Sequence, residues 1–283
     1  MSALLLVAAL AWPPQDATDN RGDRLVKVEL LADRAAIRPG EAFSLGVRLV
    51  IEPKWHIYWE NHGDSGMPTR AKISGPKGFT LGAPRFPGPE REEAEGDIVS
   101  YVHYGEIVLV VDGVAPDPMP SGIANADFTV EANWLVCTQV CYPGSGEAKL
   151  QVPIAAQEAK PAPANDRLFL EARAKLPKPW SELAGASIEW SGDDGSPVAV
   201  ITVPGAADLE FFPLASESTS LLGREIEPGA AACRLSASLS FEPPAPGAAP
   251  RLEGLLRVRK ERSGAFYRLD STPNPPASPA GSR

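Results

Sequence analysis

Two cysteines, Cys137 and Cys141, lie four residues apart in the stretch WLVCTQVCYPG, residues 134–144. Thiols at this spacing admit three chemistries. They can be joined as a structural bridge, serve as soft metal ligands, or cycle between dithiol and disulfide. Residues four apart in a straight strand are separated by about 13 Å, whereas a disulfide needs Cα atoms about 4.4–6.8 Å apart. The pair can therefore close only if Thr138-Gln139-Val140 turns the chain back, and Pro143-Gly144 then reads as the stop of that element. A bridge around so small a loop removes little entropy from the unfolded chain. As a staple it is weak, which argues that the pair is kept for chemistry. A closed zinc site is disfavoured, because no second Cys pair exists and the chain has only three histidines, His56, His62 and His103. A Cu(I) site built from the two cysteines with Met67 or a histidine stays open. The spacing is also not the Cys-x-x-Cys of a thioredoxin helix start, so a helix dipole does not activate either thiol.

The elements that must hold such a pair are strands. The chain has 283 residues, enough for two domains, with 43% hydrophobic and 22% charged residues. Its net charge of −9 excludes nucleic acid as a partner class and disfavours anionic membrane surfaces, since no surplus cations exist to displace counterions. Thirty prolines and 25 glycines favour short strands joined by turns. Residues 1–20 open with MSALLLVAALAW, an apolar run of export-signal length with Ala9-Leu10-Ala11 as a cleavage site. The run lacks a basic start, and we read it as an export signal with a clipped beginning. No later stretch approaches the roughly 20 apolar residues of a spanning helix. The expected compartment is oxidising and extracytoplasmic.

From residue 24 the chain alternates as half-buried strands do, with segments at 42–51, 55–59, 71–74, 98–111, 127–136 and 148–154. This spacing predicts an immunoglobulin-like antiparallel β-sandwich over 24–156. Residues 157–164 read as a proline-broken linker, and Asn165-Asp166 as the cap of a helix packing through Leu168, Phe169, Leu170, Ala172 and Leu176. Strand patterns resume at 186–190, 198–203, 209–213, 234–241, 252–258 and 265–269, a second, smaller β-domain over 165–270. Residues 271–283 read as a floppy tail.

Three stretches taken together resemble a known family. The aromatic strand WHIYWENHGDSGMP (55–68), the segment FPGPER (86–91) with YVHYGE (101–106), and WLVCTQVCYPG itself follow one another as in the N-terminal periplasmic domain of DsbD/ScsB thiol:disulfide interchange proteins. The resemblance extends over about residues 24–155. The second β-domain looks more distantly like the module that follows in ScsB-type members. The resemblance implies a carrier of reducing equivalents, a possible protein-disulfide reductase component, in which Cys137 and Cys141 exchange and Cys141 is attacked first. It implies that Trp55, Tyr58 and Trp134 wall the site, with Tyr142 supporting it, and that the segment 87–97 caps it without an aromatic lid. Implied partners are a membrane-embedded dithiol carrier on a separate chain and periplasmic thioredoxin-like or disulfide-containing proteins. No cofactor and no metal are implied. The rival reading is a non-enzymatic binding module, for a partner protein or Cu(I), in which the cysteines brace a loop.

The remaining chemistry-bearing residues have plainer readings. His56 and Tyr58 fall on the strand face opposite Trp55, Ile57 and Trp59, so one set packs the core and the other is free for the site. His103 reads as a half-exposed strand residue, Asp64 and Glu60 as solvated acids near a turn, and Cys233 as a small inert core residue.

Overall fold

A computed structural model describes residues 21–193, 195–245, 247–260 and 263–273, so the export-signal reading of 1–20 and most of the tail lie outside the described residues. The first sandwich starts with a single turn, α1 (Arg21–Arg24), and ten strands: β1 (Val26–Ala32), β2 (Ala42–Ile51), β3 (His56–Gly63), β4 (Arg70–Ser74), β5 (Thr80–Leu81), β6 (Glu90–Ala94), β7 (Ile98–Tyr104), β8 (Glu106–Val114), β9 (Asn125–Cys137) and β10 (Cys141–Pro153). One sheet runs β1-β2-β8-β5; the other runs β10-β9-β3-β7-β6, with β4 also pairing β9. The pairings within both sheets are antiparallel. Alternate residues from both sheets, among them Leu45, Leu49, Ile57, Trp59, Leu109, Phe128, Trp134 and Val136, fill one core, as an immunoglobulin-like sandwich requires.

Ile107 to Val111 is apolar without alternation, and all five side chains are buried. The reason is a second cover: the helix α2 (Asp166–Lys175) lies on the outer face of β8, where Ala172, Leu176 and Leu168 meet Val108 and Val110. Phe169 is fully buried beside Gly46, whose missing Cβ leaves room for the ring. Leu170, by contrast, is exposed. Asn165 does not cap this helix through its side chain. It sits in the left-handed region, and its amide donates instead to the Ala32 carbonyl at 2.9 Å, tying the helix start to β1.

The second sandwich has strands β11 (Lys178–Pro179), β12 (Ser187–Gly192), β13 (Pro197–Pro204), β14 (Asp208–Pro213), β15 (Thr219–Glu227), β16 (Ala232–Phe241), β17 (Leu252–Lys260) and β18 (Ser263–Ser271). They form two four-stranded sheets, β11-β18-β17-β14 and β12-β13-β16-β15, around Ile201, Phe211, Leu235 and Leu256. Cys233 is buried here, and loss of solvation raises its thiol pKa. The two sandwiches meet through aromatics. Tyr101 of β7 lies edge-on to Phe212 at 5.2 Å, Phe212 packs on Phe266 at 5.6 Å, and the Asn61 amide donates to the Pro213 carbonyl at 2.6 Å.

Three expectations are corrected. Pro143-Gly144 is no stop: both residues belong to β10, which the ladder continues through Pro143↔Leu135 and Gly144↔Trp134. A proline is tolerated because β10 is the edge of its sheet and lacks a partner on one side. The 87–97 segment, for which no strand was expected, carries one, since 90–94 forms β6 and turns at Gly96 and Asp97, both with positive φ, into β7. His103 is 4% exposed, not half-exposed. It lies on the core side, stacked with Phe86 at 6.4 Å, and its Nε2 has no partner among the described residues.

Burial pushes the His103 pKa down to about 3. The folded value is below the unfolded one, so the unfolded chain binds the proton and stability falls as pH drops from about 6.5 toward 3. Between pH 7 and pH 5 this one group should remove about 2 kcal/mol. The His103→Leu variant is expected to lose that much less than the wild type over the same interval, read from urea unfolding midpoints at the two pH values.

Candidate functional site

The hairpin β9–β10 places the cysteines. Its 13 paired positions run from Asn125↔Pro153 to Cys137↔Cys141, and the turn 138–140 closes with Thr138 N–H donating to the Val140 carbonyl at 3.0 Å. Cys137 and Cys141 are thus direct cross-strand neighbours, joined by a disulfide with Cα atoms 4.2 Å apart. A disulfide does not offer copper a thiolate, and among the described residues no group of three or more His, Cys, Asp or Glu side chains is placed to hold a metal ion.

The row continues across the sheet. Cys137 pairs with His56 on β3, and His56 with Tyr104 on β7. Directly opposed residues share a face, so Cys141, Cys137, His56 and Tyr104 line one side of the sheet. Two residues along the strands, on the same face, Tyr58 opposes Val102. Tyr58, Val102 and Cys137, with Tyr104 and Leu135, form a small apolar cluster separate from the main core.

The two sulfurs stand in different surroundings. Cys137 is 1% exposed, whereas Cys141 is solvent-accessible. The Tyr58 hydroxyl donates to Cys137 Sγ at 3.6 Å. Tyr58 itself lies where β3 parts from β9, because β3 pairs with β9 only through His56 and Ile57 before β4 takes over. The turn after β3 closes over its ring. Gly66, at φ +101°, leaves no space for a Cβ, which would fall 2.2 Å from the ring carbons. That turn is pinned to β7 by Asp64, whose carboxylate accepts from Val99 N–H at 2.9 Å while its own N–H donates to the Val99 carbonyl at 2.8 Å.

On the far side, Glu92 of β6 reaches over the row. It accepts from the Tyr104 hydroxyl, and its Oε2 lies 3.8 Å from His56 Nδ1. His56 packs edge-on against Tyr58 at 5.4 Å and Tyr104 at 5.5 Å. Burial lowers the His56 pKa, and the Glu92 charge opposes that shift. Burial, helped by Glu92, raises the pKa of Tyr58. The 87–97 segment therefore does approach the disulfide face, as the arm of a hairpin held by Glu92.

Of the residues singled out from sequence, Cys137, Cys141 and Tyr58 come together. Trp134 is on the opposite phase of β9, packed in the core, and its indole N–H donates to the Gly22 carbonyl at 3.2 Å. Tyr142 opposes Val136 and lies on that same side, 5.9 Å from Trp55. Strand alternation sends these three aromatics behind the disulfide, where they fix the sheet. Gly144 serves the same packing, since a Cβ there would meet Trp134 Nε1 at 2.4 Å. Glu60 stands apart from the sulfurs, near Arg268 and Arg70, and burial raises its pKa. Sequence reasoning gave no role to Glu92 and Tyr104. For Glu92 no signal existed, because the acidic 90–95 run does not look like a strand.

Residues 24–153, which make up the first sandwich, match the family model described as thiol:disulfide interchange protein DsbD, N-terminal. Among solved structures, the N-terminal periplasmic domain of ScsB from Proteus mirabilis aligns over 92% of this chain and 96% of its own, at 12% identity and a TM-score of 0.59. At that identity the likeness is one of fold. A protein of unknown function from Porphyromonas gingivalis W83 aligns over 88% of this chain and 99% of its own, at 9% identity and a TM-score of 0.25. No curated protein sequence matches the chain. No helix among the described residues is long and apolar enough to cross a membrane.

The unequal burial has a direct readout. After reduction, iodoacetamide should modify Cys141 at least about tenfold faster than Cys137, since the thiol's accessibility and thiolate fraction set the rate. Peptide mass spectrometry of a quenched time course measures both sites. Equal rates would contradict the arrangement.

Proposed function

We propose that this protein is a periplasmic thiol-disulfide interchange protein, passing reducing equivalents from a membrane-embedded dithiol carrier to exported partners through Cys137 and Cys141. The single observation that carries the reading is the asymmetry of the pair, an open sulfur bonded to a buried one that a hydroxyl already serves. The match of the first sandwich to the DsbD N-terminal family model supports it.

Exchange requires a thiolate to approach one sulfur in line with the S–S bond, displacing the other. Only Cys141 is open to such an approach. The partner's sulfur bonds to Cys141 Sγ, the Cys137–Cys141 bond breaks, and its electron pair leaves on Cys137 Sγ. The Tyr58 hydroxyl, already donating to that sulfur, then holds a charged acceptor, and such bonds are about twice as strong as neutral ones. A better-stabilised leaving thiolate departs faster. The partner's second thiolate attacks its own sulfur in the mixed disulfide, so the partner departs oxidised and Cys141 is released reduced. In the second half, the Cys141 thiolate attacks the disulfide of an exported thioredoxin-like or other partner, and Cys137 resolves the intermediate. Two electrons pass at each exchange, and the chemistry needs no cofactor.

Two measurements test the reading. In glutathione buffers the pair is expected to equilibrate at a potential above about −300 mV, the region of exchanging rather than structural disulfides. The Cys137→Ser variant, keeping the open thiol, is expected to accumulate a mixed disulfide with glutathione at least about tenfold more than Cys141→Ser. A pair that stays oxidised below about −300 mV would make it a brace. The Tyr58→Phe variant should slow reduction by about tenfold or more, consistent with the 1.5–3 kcal/mol of a hydrogen bond to a charged group.

A further inference from the structure

His56 occupies a position that the exchange steps above leave unused. It is the direct cross-strand neighbour of Cys137, so their Cβ atoms are about 4.5–5.5 Å apart on the same face. Its side chain is 12% exposed, enclosed by the rings of Tyr58 and Tyr104, with Glu92 3.8 Å from Nδ1. The groups facing it can be named strand by strand: Tyr58 on its own strand, Tyr104 on β7, Glu92 on β6, and Cys137 then Cys141 along the row. Among these, only Glu92 is charged while the disulfide is intact, and the sulfurs carry no charge in that state.

Reduction changes that balance. When the S–S bond breaks, its electron pair becomes a negative charge on Cys137 Sγ, in a pocket closed to water. A single hydroxyl faces that charge, and the nearest carboxylate, Glu92, is of the same sign. A desolvated anion is stabilised by an opposite charge about 4–6 Å away, and the titration of the neighbour that supplies it shifts by about 1–3 pH units. The imidazole is the only titratable base in the row.

We propose that His56 is a redox-linked proton site, positioned by Glu92, that takes up a proton when the Cys137–Cys141 bond is reduced and holds the Cys137 thiolate as an ion pair. The step balances. The partner thiol gives up its proton as its sulfur bonds to Cys141, the S–S electron pair goes to Cys137, and His56 gains the proton. On reoxidation Cys137 resolves the mixed disulfide, its charge disappears, and His56 returns the proton. His56 acts through Cys137 and touches no partner atom, so it is a positioning residue. The inference rests on the exchange reading of the pair.

The test is a titration of the imidazole Cε1–H resonances by carbon-edited NMR, with the protein oxidised and then reduced by a phosphine. The chain has three histidines, and loss of one signal in His56→Gln assigns the resonance. In the oxidised protein the His56 midpoint is expected below 6.5, the direction that its burial sets. In the reduced protein it should rise by at least about one pH unit. The Cys137→Ser variant, which retains Cys141, should keep the oxidised midpoint, placing the charge on Cys137. Reciprocally, the Cys137 thiolate absorbance in reduced His56→Gln should form at a pH at least about one unit higher than in wild type. Equal His56 midpoints in the two redox states overturn the proposal. Because phosphine forces reduction whatever the potential, refusal of the pair to equilibrate with glutathione bears on the exchange reading alone, and the His56 result stands separately.

Discussion

The register of one hairpin governs the site. β9 and β10 pair over 13 positions, and because side chains alternate with a period of two, a slip of one residue would send both cysteines to the other face of the sheet. The long ladder holds Cys137 against Cys141 while Trp134 and Val136, on the opposite phase, anchor the strand in the core. The close approach of Gly144 to Trp134 and of Gly22 to Pro143 seats the N-terminal turn on the hairpin edge. The hairpin's core packing is thus what orients a disulfide that lies outside the core.

From that row the rest follows by adjacency. Cys137 is buried because β3 continues the sheet beside it and Tyr58 fills the place where β3 and β9 part. Cys141 is open because β10 is an edge strand. A sheet edge is ordinarily a liability, an unpaired row of donors and acceptors. Here the same edge, blunted by Pro143, makes one sulfur reachable and leaves its partner sulfur enclosed. Unequal access, which a symmetric buried bridge could not give, leaves Cys141 as the sulfur that an incoming group can reach.

Much of this was legible in the sequence. Alternation located Ala42–Ile51 at its true bounds, and the helix beginning at Asp166 was found. The three-residue turn between the cysteines followed from chain geometry alone, and the alternation of 55–59 put His56 and Tyr58 on a common face. What stayed hidden has physical causes. Pro143-Gly144 carries the composition of a stop, and only edge position and contact with Trp134 explain its place inside a strand. The acidic 90–95 run has low strand propensity and is held by pairing to β7 and by the second sandwich. Trp134 and Tyr142 neighbour the cysteines in sequence, yet an odd offset along a strand means the opposite face.

The second sandwich bears on the site through that acidic hairpin. Tyr101 of β7, one residue from Val102 of the disulfide cluster, packs on Phe212, and Gly88 just before β6 lies against Phe266 so closely that a Cβ would fall 2.3 Å from its ring. Arg91, on the opposite phase of β6 from Glu92, reaches toward Glu210, which also pairs with Arg257. The hairpin that carries Glu92 is thereby fixed from behind by the second sandwich, while its front holds Tyr104 and faces His56. A hairpin on the sheet edge, bearing several carboxylates and packed on one side only, would otherwise be held by few apolar contacts and open easily. Joining it to the aromatic seam at Phe212 makes the geometry around Cys137 depend on both sandwiches, which gives the second one a physical part in shaping the surroundings of the disulfide.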